Sequence, residues 1–349
     1  MISVRTFVIT LLAAVLAACA PLTPVVDTPT SPAVAPDPVA ALRVDRAVED
    51  RLFALDPENV TSQDVRETLS KVPAPRIILL HGGISPVHSV MKSFARFLIG
   101  MGYPEAQIRH HADGDWSYSP YQRSERIAGM IAWAYEHDGM RPMLVGHSQG
   151  GIQVVKVLHD LAGGFDPVLP VWNPTTDRAE QRSSIVDPYT RTPRPVIGVQ
   201  VSFASVVGAG GLSFVLPNHW AMIGRLREVP DTAVQFNGYF IGVDWFTMSR
   251  ADVSADGFRS PSGKVQIRNV VLPAGYMHLT VPAAHYLLDK PDLRRMADEY
   301  RATTERPDEA TMPGGYEDSF YYAADNWASI KKHWVLEARR LVMAKRAGS

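Results

Sequence analysis

The stretch MLVGHSQGG, residues 143–151, places Ser148 between Gly146 and Gly150. A serine hydroxyl at its ordinary pKa is a weak nucleophile. Chemistry at Ser148 therefore needs a histidine to take its proton and a carboxylate to orient that histidine. The local pattern suits such work. MLVG is an apolar run of strand type, and in GIQVVKVLHDLAGG, after the turn, Ile152, Val155, Leu158 and Leu161 share one face at helical spacing. A tight strand-to-helix turn lifts its apical side chain off the sheet, and glycines flank it because a side chain there would strike the neighbouring strand or helix. The helix N-terminus adds unpaired N–H groups and partial positive charge where an anion would develop.

The remaining elements must position the partners. Residues 43–72 carry charge at helical spacing and predict two short helices bracketing Pro57. RIILLHGG (76–83) is a short apolar run ending in a glycine pair, the pattern of a buried parallel strand entering a loop. MKSFARFLIGMGY (91–103) predicts a helix, AQIRHHADG (106–114) a further strand, and YQRSERIAGMIAWAYEHDG (121–139) another helix. This alternation predicts an α/β fold, a mostly parallel central sheet with helices on both faces. It lapses over 163–195, a polar, proline-rich stretch whose length marks it as functional or disordered. Strand-like runs resume at VIGVQVSFASV (196–206), AVQFNGYFIGV (233–243) and VQIRNVVL (265–272), with a glycine-rich loop and a helix predicted within 208–230. Residues 163–195 and 212–231 are expected to be cap or lid insertions. Residues 303–349 are expected to form a tyrosine-rich loop and a basic helix packed on the outside.

GHSQGG resembles the nucleophile elbow of α/β-hydrolases, most of all that of bacterial lipases and esterases, and LLHGG (79–83) resembles the family's oxyanion loop. The resemblance spans about residues 75–300, although only these two motifs are specific. It implies an oxyanion held by the N–H groups of Gly83 (or its neighbour Ile84) and Gln149, and a chain order of serine, acid, histidine. The run QFNGYFIGV ends at Asp244, the position at which the fold carries its acid; Asp252 and Asp256 follow as alternatives, and Asp231 stands at the wrong end of the strand. Of the downstream histidines, His219 precedes Asp244 and suits a lid or pocket lining. His278 lies a short loop beyond the strand end at Leu272 and is the first choice of base. His285 is the alternative, because HYLLDKP resembles the histidine segment of several monoacyl-lipase relatives. Many secreted lipases have a second cysteine and a calcium-site pattern, and this sequence shows neither.

The bulk properties narrow the partners. A formal net charge of −1 with no long Lys/Arg run argues against nucleic acid, and 46% hydrophobic with 20% charged residues is an ordinary globular composition. The single cysteine, Cys19, ends a segment with one early Arg5 and an uncharged run from Thr6 to Ala18. That run is shorter than the ~20 residues a membrane-spanning helix needs and has the character of a signal-peptide core. LAAC, residues 16–19, resembles the lipobox of bacterial lipoproteins, in which cleavage precedes a diacylglyceryl-modified cysteine. The expected organisation is a signal peptide over 1–18, a lipidated Cys19 with a proline-rich tether to residue 42, and a catalytic domain over 43–349 at the cell envelope.

The resulting expectation is an α/β-hydrolase that cleaves carboxylic esters. Lipid or acyl esters come first because LSFVLPNHWAMI (212–223) and DPVLPVW (166–172) could line an acyl pocket. Thioesterase or acyltransferase chemistry on the same residues, and a membrane-anchored binding protein without turnover, are the alternatives. No metal or organic cofactor is implied.

Overall fold

A computed structural model of the chain describes residues 36–211, 217–244, 249–250, 256–273, 275–302 and 319–348. The signal-like segment, Cys19, Asp252 and residues 303–318 lie outside the described residues.

Five strands form the central sheet: β1 (Ile77–Leu80), β2 (Met143–His147), β3 (Val201–Val207), β4 (Ala233–Phe240) and β5 (Gln266–Val271). They stand in chain order, and every neighbouring pair is parallel. The register is nearly flush: Leu80 pairs with Gly146, Gly146 with Val206, and Val206 with Gly238. The chain therefore leaves β1, β2 and β3 side by side along one edge.

Alternate residues of each strand feed two cores, as the pleat requires. Ile77, Leu79, Met143, Val145, Phe203 and Tyr239 face one; Ile78, Leu80, Leu144, Ala204, Val206 and Phe236 face the other. Helices cover both faces. The first core is closed by α1 (Pro38–Ala41), α2 (Arg46–Ala54), α3 (Ser62–Glu67), α4 (Ser85–Gly100), α7 (Pro291–Glu299) and α8 (Phe320–Gly348). The second is closed by α5 (Ser124–Asp138) and α6 (Gln149–Leu161). Fully burying one large apolar side chain contributes roughly 1.5–3 kcal/mol, so strands lined on both faces are the most stable part of the body.

Several elements differ from the sequence expectation. Residues 106–114 make no strand. After the 3-10 turn Glu105–Gln107 the Asp113 carboxylate accepts the Asp115 N–H at 2.9 Å and Arg109 donates to the Gly114 carbonyl at 2.7 Å. Local side chains thus take the backbone groups a strand would have paired. Over 163–195 the chain folds into two antiparallel ribbons, Trp172–Asn173 with Arg178–Ala179 and Ser184–Val186 with Pro193–Pro195. The ribbons sit against α5, where a Cβ on Gly129 would lie 2.5 Å from the Pro170 carbonyl. Glu136 of α5, 1% exposed, accepts from Arg182 at 2.8 and 2.6 Å and from the Val186 N–H at 2.6 Å. Of DPVLPVW, Leu169 and Val171 belong to the second core, whereas Asp166, Pro167 and Val168 are exposed. In 208–230 the described helix is a 3-10 turn, Pro217–Met222.

The ends of the domain differ most. The folded body begins before residue 43: Asp37 caps α1, accepting the Ala40 N–H at 2.9 Å, and Leu42 is 5% exposed. Nor is α8 an outer helix. It starts at Phe320, within the expected loop, and buries Trp327 and Trp334 completely. Its polar residues misled the sequence reading because each is buried against a partner from another part of the chain. Asp325 pairs with Arg268 at 2.8 and 3.1 Å, and Glu337 receives Arg141 Nε and the Arg141 N–H, both at 2.8 Å. Lys331 Nζ donates to the carbonyls of Val60 and Asp298 at 2.5 and 2.6 Å.

Candidate active site

Ser148 is the single residue between β2 and α6, with φ 55° and ψ −122°. Positive φ in a non-glycine residue costs of order 1–3 kcal/mol and persists only where the surroundings enforce it. Here the Ser148 N–H donates to the Val207 carbonyl at 2.8 Å, and its own carbonyl accepts from Gly151 at 2.9 Å, opening α6. The flanking glycines are obligatory. A Cβ on Gly146 would stand 2.5 Å from the Gly150 carbonyl, and one on Gly150 would stand 2.2 Å from the Leu80 carbonyl. The side-chain-free contact lets the elbow press onto the end of β1.

Asp244 and His278 reach this serine from the ends of β4 and β5. His278 Nδ1–H donates to Asp244 Oδ2 at 2.8 Å, and the Ser148 hydroxyl donates to His278 Nε2 at 2.8 Å. The acid is 3% exposed and the histidine 7%. In this low-dielectric setting a carboxylate fixes the imidazole tautomer and would stabilise its protonated form. The relay can therefore take a proton from the serine and return it to a leaving group.

Two residues not singled out from the sequence hold the imidazole in place. Gly208, with φ +63°, leaves the space that His278 fills, since a Cβ there would sit 2.7 Å from His278 Cε1. His147 Nε2–H donates to the His278 carbonyl at 2.7 Å and so ties the histidine's loop to the strand that carries the serine. Burial and the nearby His278 push the His147 imidazole down to about 3, so it remains a neutral donor. The sequence signal for His147 was its place beside the serine; Gly208 had no local signal beyond a glycine-rich loop.

The other expected candidates lie elsewhere. His285 opens the 3-10 turn His285–Asp289, and its N–H donates to Ser93 Oγ at 3.0 Å. His219 is fully buried in the 3-10 turn Pro217–Met222, its Nε2 3.3 Å from the Asn218 amide, and desolvation lowers it to about 4. Asp231 meets Lys264 at 3.2 Å.

On the other side of Ser148 stands His81-Gly82-Gly83, leaving β1. A Cβ on Gly82 would lie 3.0 Å from Ser148 Cβ, so the absence of a side chain lets the loop pass close to Ser148. The N–H groups of Gly83, Ile84 and Gln149 donate to no acceptor among the described residues. Gln149 is the first residue of α6, where backbone donors are left over by the helix. A serine in a relay with three uncommitted N–H groups nearby is an arrangement able to attack a carbonyl and hold the resulting oxyanion. Among the described residues, no group of three or more His, Cys, Asp or Glu is placed to hold a metal ion.

A cavity of about 360 Å³ lies apart from this centre, between the chain around Asn59 and the residues Asp298, Tyr300 and Lys331, and none of the relay residues lines it. No family model matches the chain, and no curated protein matches it.

Proposed function

We propose that the protein is a serine hydrolase of the α/β-hydrolase type that cleaves carboxylic esters, lipid or acyl esters first. The observation that carries this reading is the continuous Asp244–His278–Ser148 relay, two hydrogen bonds of 2.8 Å between residues that follow β2, β4 and β5 of one parallel sheet. In the proposed reaction His278 accepts the Ser148 proton as Oγ attacks the ester carbonyl. The oxyanion rests on N–H groups of the Gly83–Ile84 loop and Gln149. His278 then protonates the departing alcohol, leaving an acyl group on Ser148. Water, deprotonated by the same histidine, releases the acid and restores the serine. Asp244 keeps Nδ1 protonated throughout.

The experiment is labelling with a fluorophosphonate probe, which reacts only with activated serines. Wild type is expected to label and Ser148→Ala is not. Labelling that survives the substitution, or never appears in wild type, overturns the assignment. The anchor is part of the same proposal: Cys19 carries the lipid and holds the enzyme at a bacterial membrane. Metabolic labelling with a palmitate analogue should mark wild type and miss Cys19→Ser.

A further inference from the structure

An oxyanion site works only if its donors are aimed before the reaction, because a donor that must reorient spends stabilisation on ordering itself. The loop that would supply them here is two glycines, the least constrained backbone available, followed by an isoleucine. Its rigidity must therefore come from outside, and the contacts that supply it are specific.

Both glycine carbonyls are occupied. The Gly82 carbonyl accepts from His81 Nδ1 at 2.6 Å, and the Gly83 carbonyl accepts the Tyr121 hydroxyl at 2.7 Å. In a trans peptide the N–H points opposite to the C=O of the same unit. Pinning the Gly83 carbonyl therefore fixes the direction of the Ile84 N–H, as pinning Gly82 fixes that of Gly83. Gly83 is also wedged from a second side: a Cβ there would overlap Gln149 Oε1, at 1.7 Å, and lie 3.0 Å from the Tyr121 hydroxyl. The carboxamide of Gln149 leaves no space for the loop to slide toward the elbow.

Tyr121 is itself tied to the nucleophile's helix. It stands in the turn before α5, where the Gln122 N–H donates to the Ser119 carbonyl at 3.3 Å. Gln153 of α6, 1% exposed, donates its amide to the Gln122 carbonyl at 2.7 Å. The serine and the oxyanion loop thus share a frame that runs from α6 through Gln122 and Tyr121 to Gly83. The Tyr121 ring is 57% exposed, so its contribution to the core is small and its hydroxyl contact stands out.

We propose that Tyr121 is a positioning residue for the oxyanion loop, its hydroxyl holding the Gly83 carbonyl so that the Ile84 N–H is preset for the developing anion. The inference rests on the serine-hydrolase reading. It is tested with Tyr121→Phe in the full chain, assayed on a p-nitrophenyl ester and with an alkyl boronic acid, which forms a tetrahedral adduct on the serine. Loss of preset donors weakens the transition state and leaves the ground state alone. The expected result is kcat lower by about tenfold, KM within about twofold, and the boronate inhibition constant raised in step with the fall in kcat/KM. The urea midpoint should stay at the wild-type value. A variant with kcat/KM and boronate inhibition at wild-type levels overturns the inference, as does a loss confined to KM with boronate inhibition unchanged. Both results leave the hydrolase reading standing, since wild type still turns over. A wild type that neither labels with fluorophosphonate nor cleaves the ester overturns both.

Discussion

The elbow helix α6 and the C-terminal helix α8 cover opposite faces of one sheet, and both are largely buried by unlike means. α6 fills its face with Ile152, Val154, Val155, Leu158 and Leu161, and the one acid it buries, Asp160, has both carboxylate oxygens without a hydrogen-bond partner among the described residues. The neighbouring Ser124 hydroxyl stands outside hydrogen-bond geometry. α8 buries Asp325, Lys331 and Glu337 and provides each with a partner from a distant part of the chain. The helix that follows Ser148 is recognisable from its own sequence. The helix that organises the opposite core is recognisable only from what it touches.

That contrast can be probed from its largest consequence downward. At the Ser148 edge, the proposed reaction predicts that Asp244→Asn lowers kcat/KM by about 10³–10⁴-fold, with the urea midpoint little changed, because the relay loses its tautomer control and the fold does not depend on it. A fall shared between activity and stability would instead make Asp244 a structural acid. On the α8 side the outcome should reverse. Asp325→Ala removes the buried carboxylate to which Arg268 and the Tyr239 hydroxyl donate, and loss of one partner of such a pair costs about 3–5 kcal/mol. Denaturant unfolding should show that loss, while kcat per folded molecule stays within about threefold of wild type.

A smaller effect of opposite sign is expected at Asp160. Burial pushes its carboxyl up to about 6, above the range of an unfolded aspartate. The folded state therefore holds the proton more tightly than the unfolded chain. Stability from this group is fully present below about pH 4 and falls as the pH rises to about 6, above which the penalty for the buried charge is constant. Asp160→Asn should stabilise the protein at pH 7–8 by about 1–2 kcal/mol and have little effect near pH 4. Equal effects at the two pH values would show that the carboxylate has a partner. The smallest effect belongs to His285→Ala. Its ring takes no part in the relay, so kcat/KM should remain within about threefold of wild type.

The elbow was legible because its constraints are local: glycines that must approach the neighbouring backbone, an apolar strand before, an amphipathic helix after. Asp244 was legible from its place at a strand end. The choice between His278 and His285 was not. Both follow β5, and the decision depends on the space left by Gly208 and the bond from His147, residues brought there by other strands. The segment 106–114 was misread because polar side chains there satisfy their own backbone, which an apolar-versus-polar pattern does not reveal. α8 was misread because buried charges look like surface charges until their partners are known.

The sequence alone determined the alternation of strand and helix, the strained serine with its two glycines, and the acid that could serve it, since each follows from periodicity or from backbone geometry within a few residues. Tertiary structure alone decided which histidine closes the relay, which face α8 occupies, and how a loop of two glycines is held still. Those outcomes depend on contacts between residues far apart in the chain, where distance, burial and pairing decide together and no local pattern carries the information.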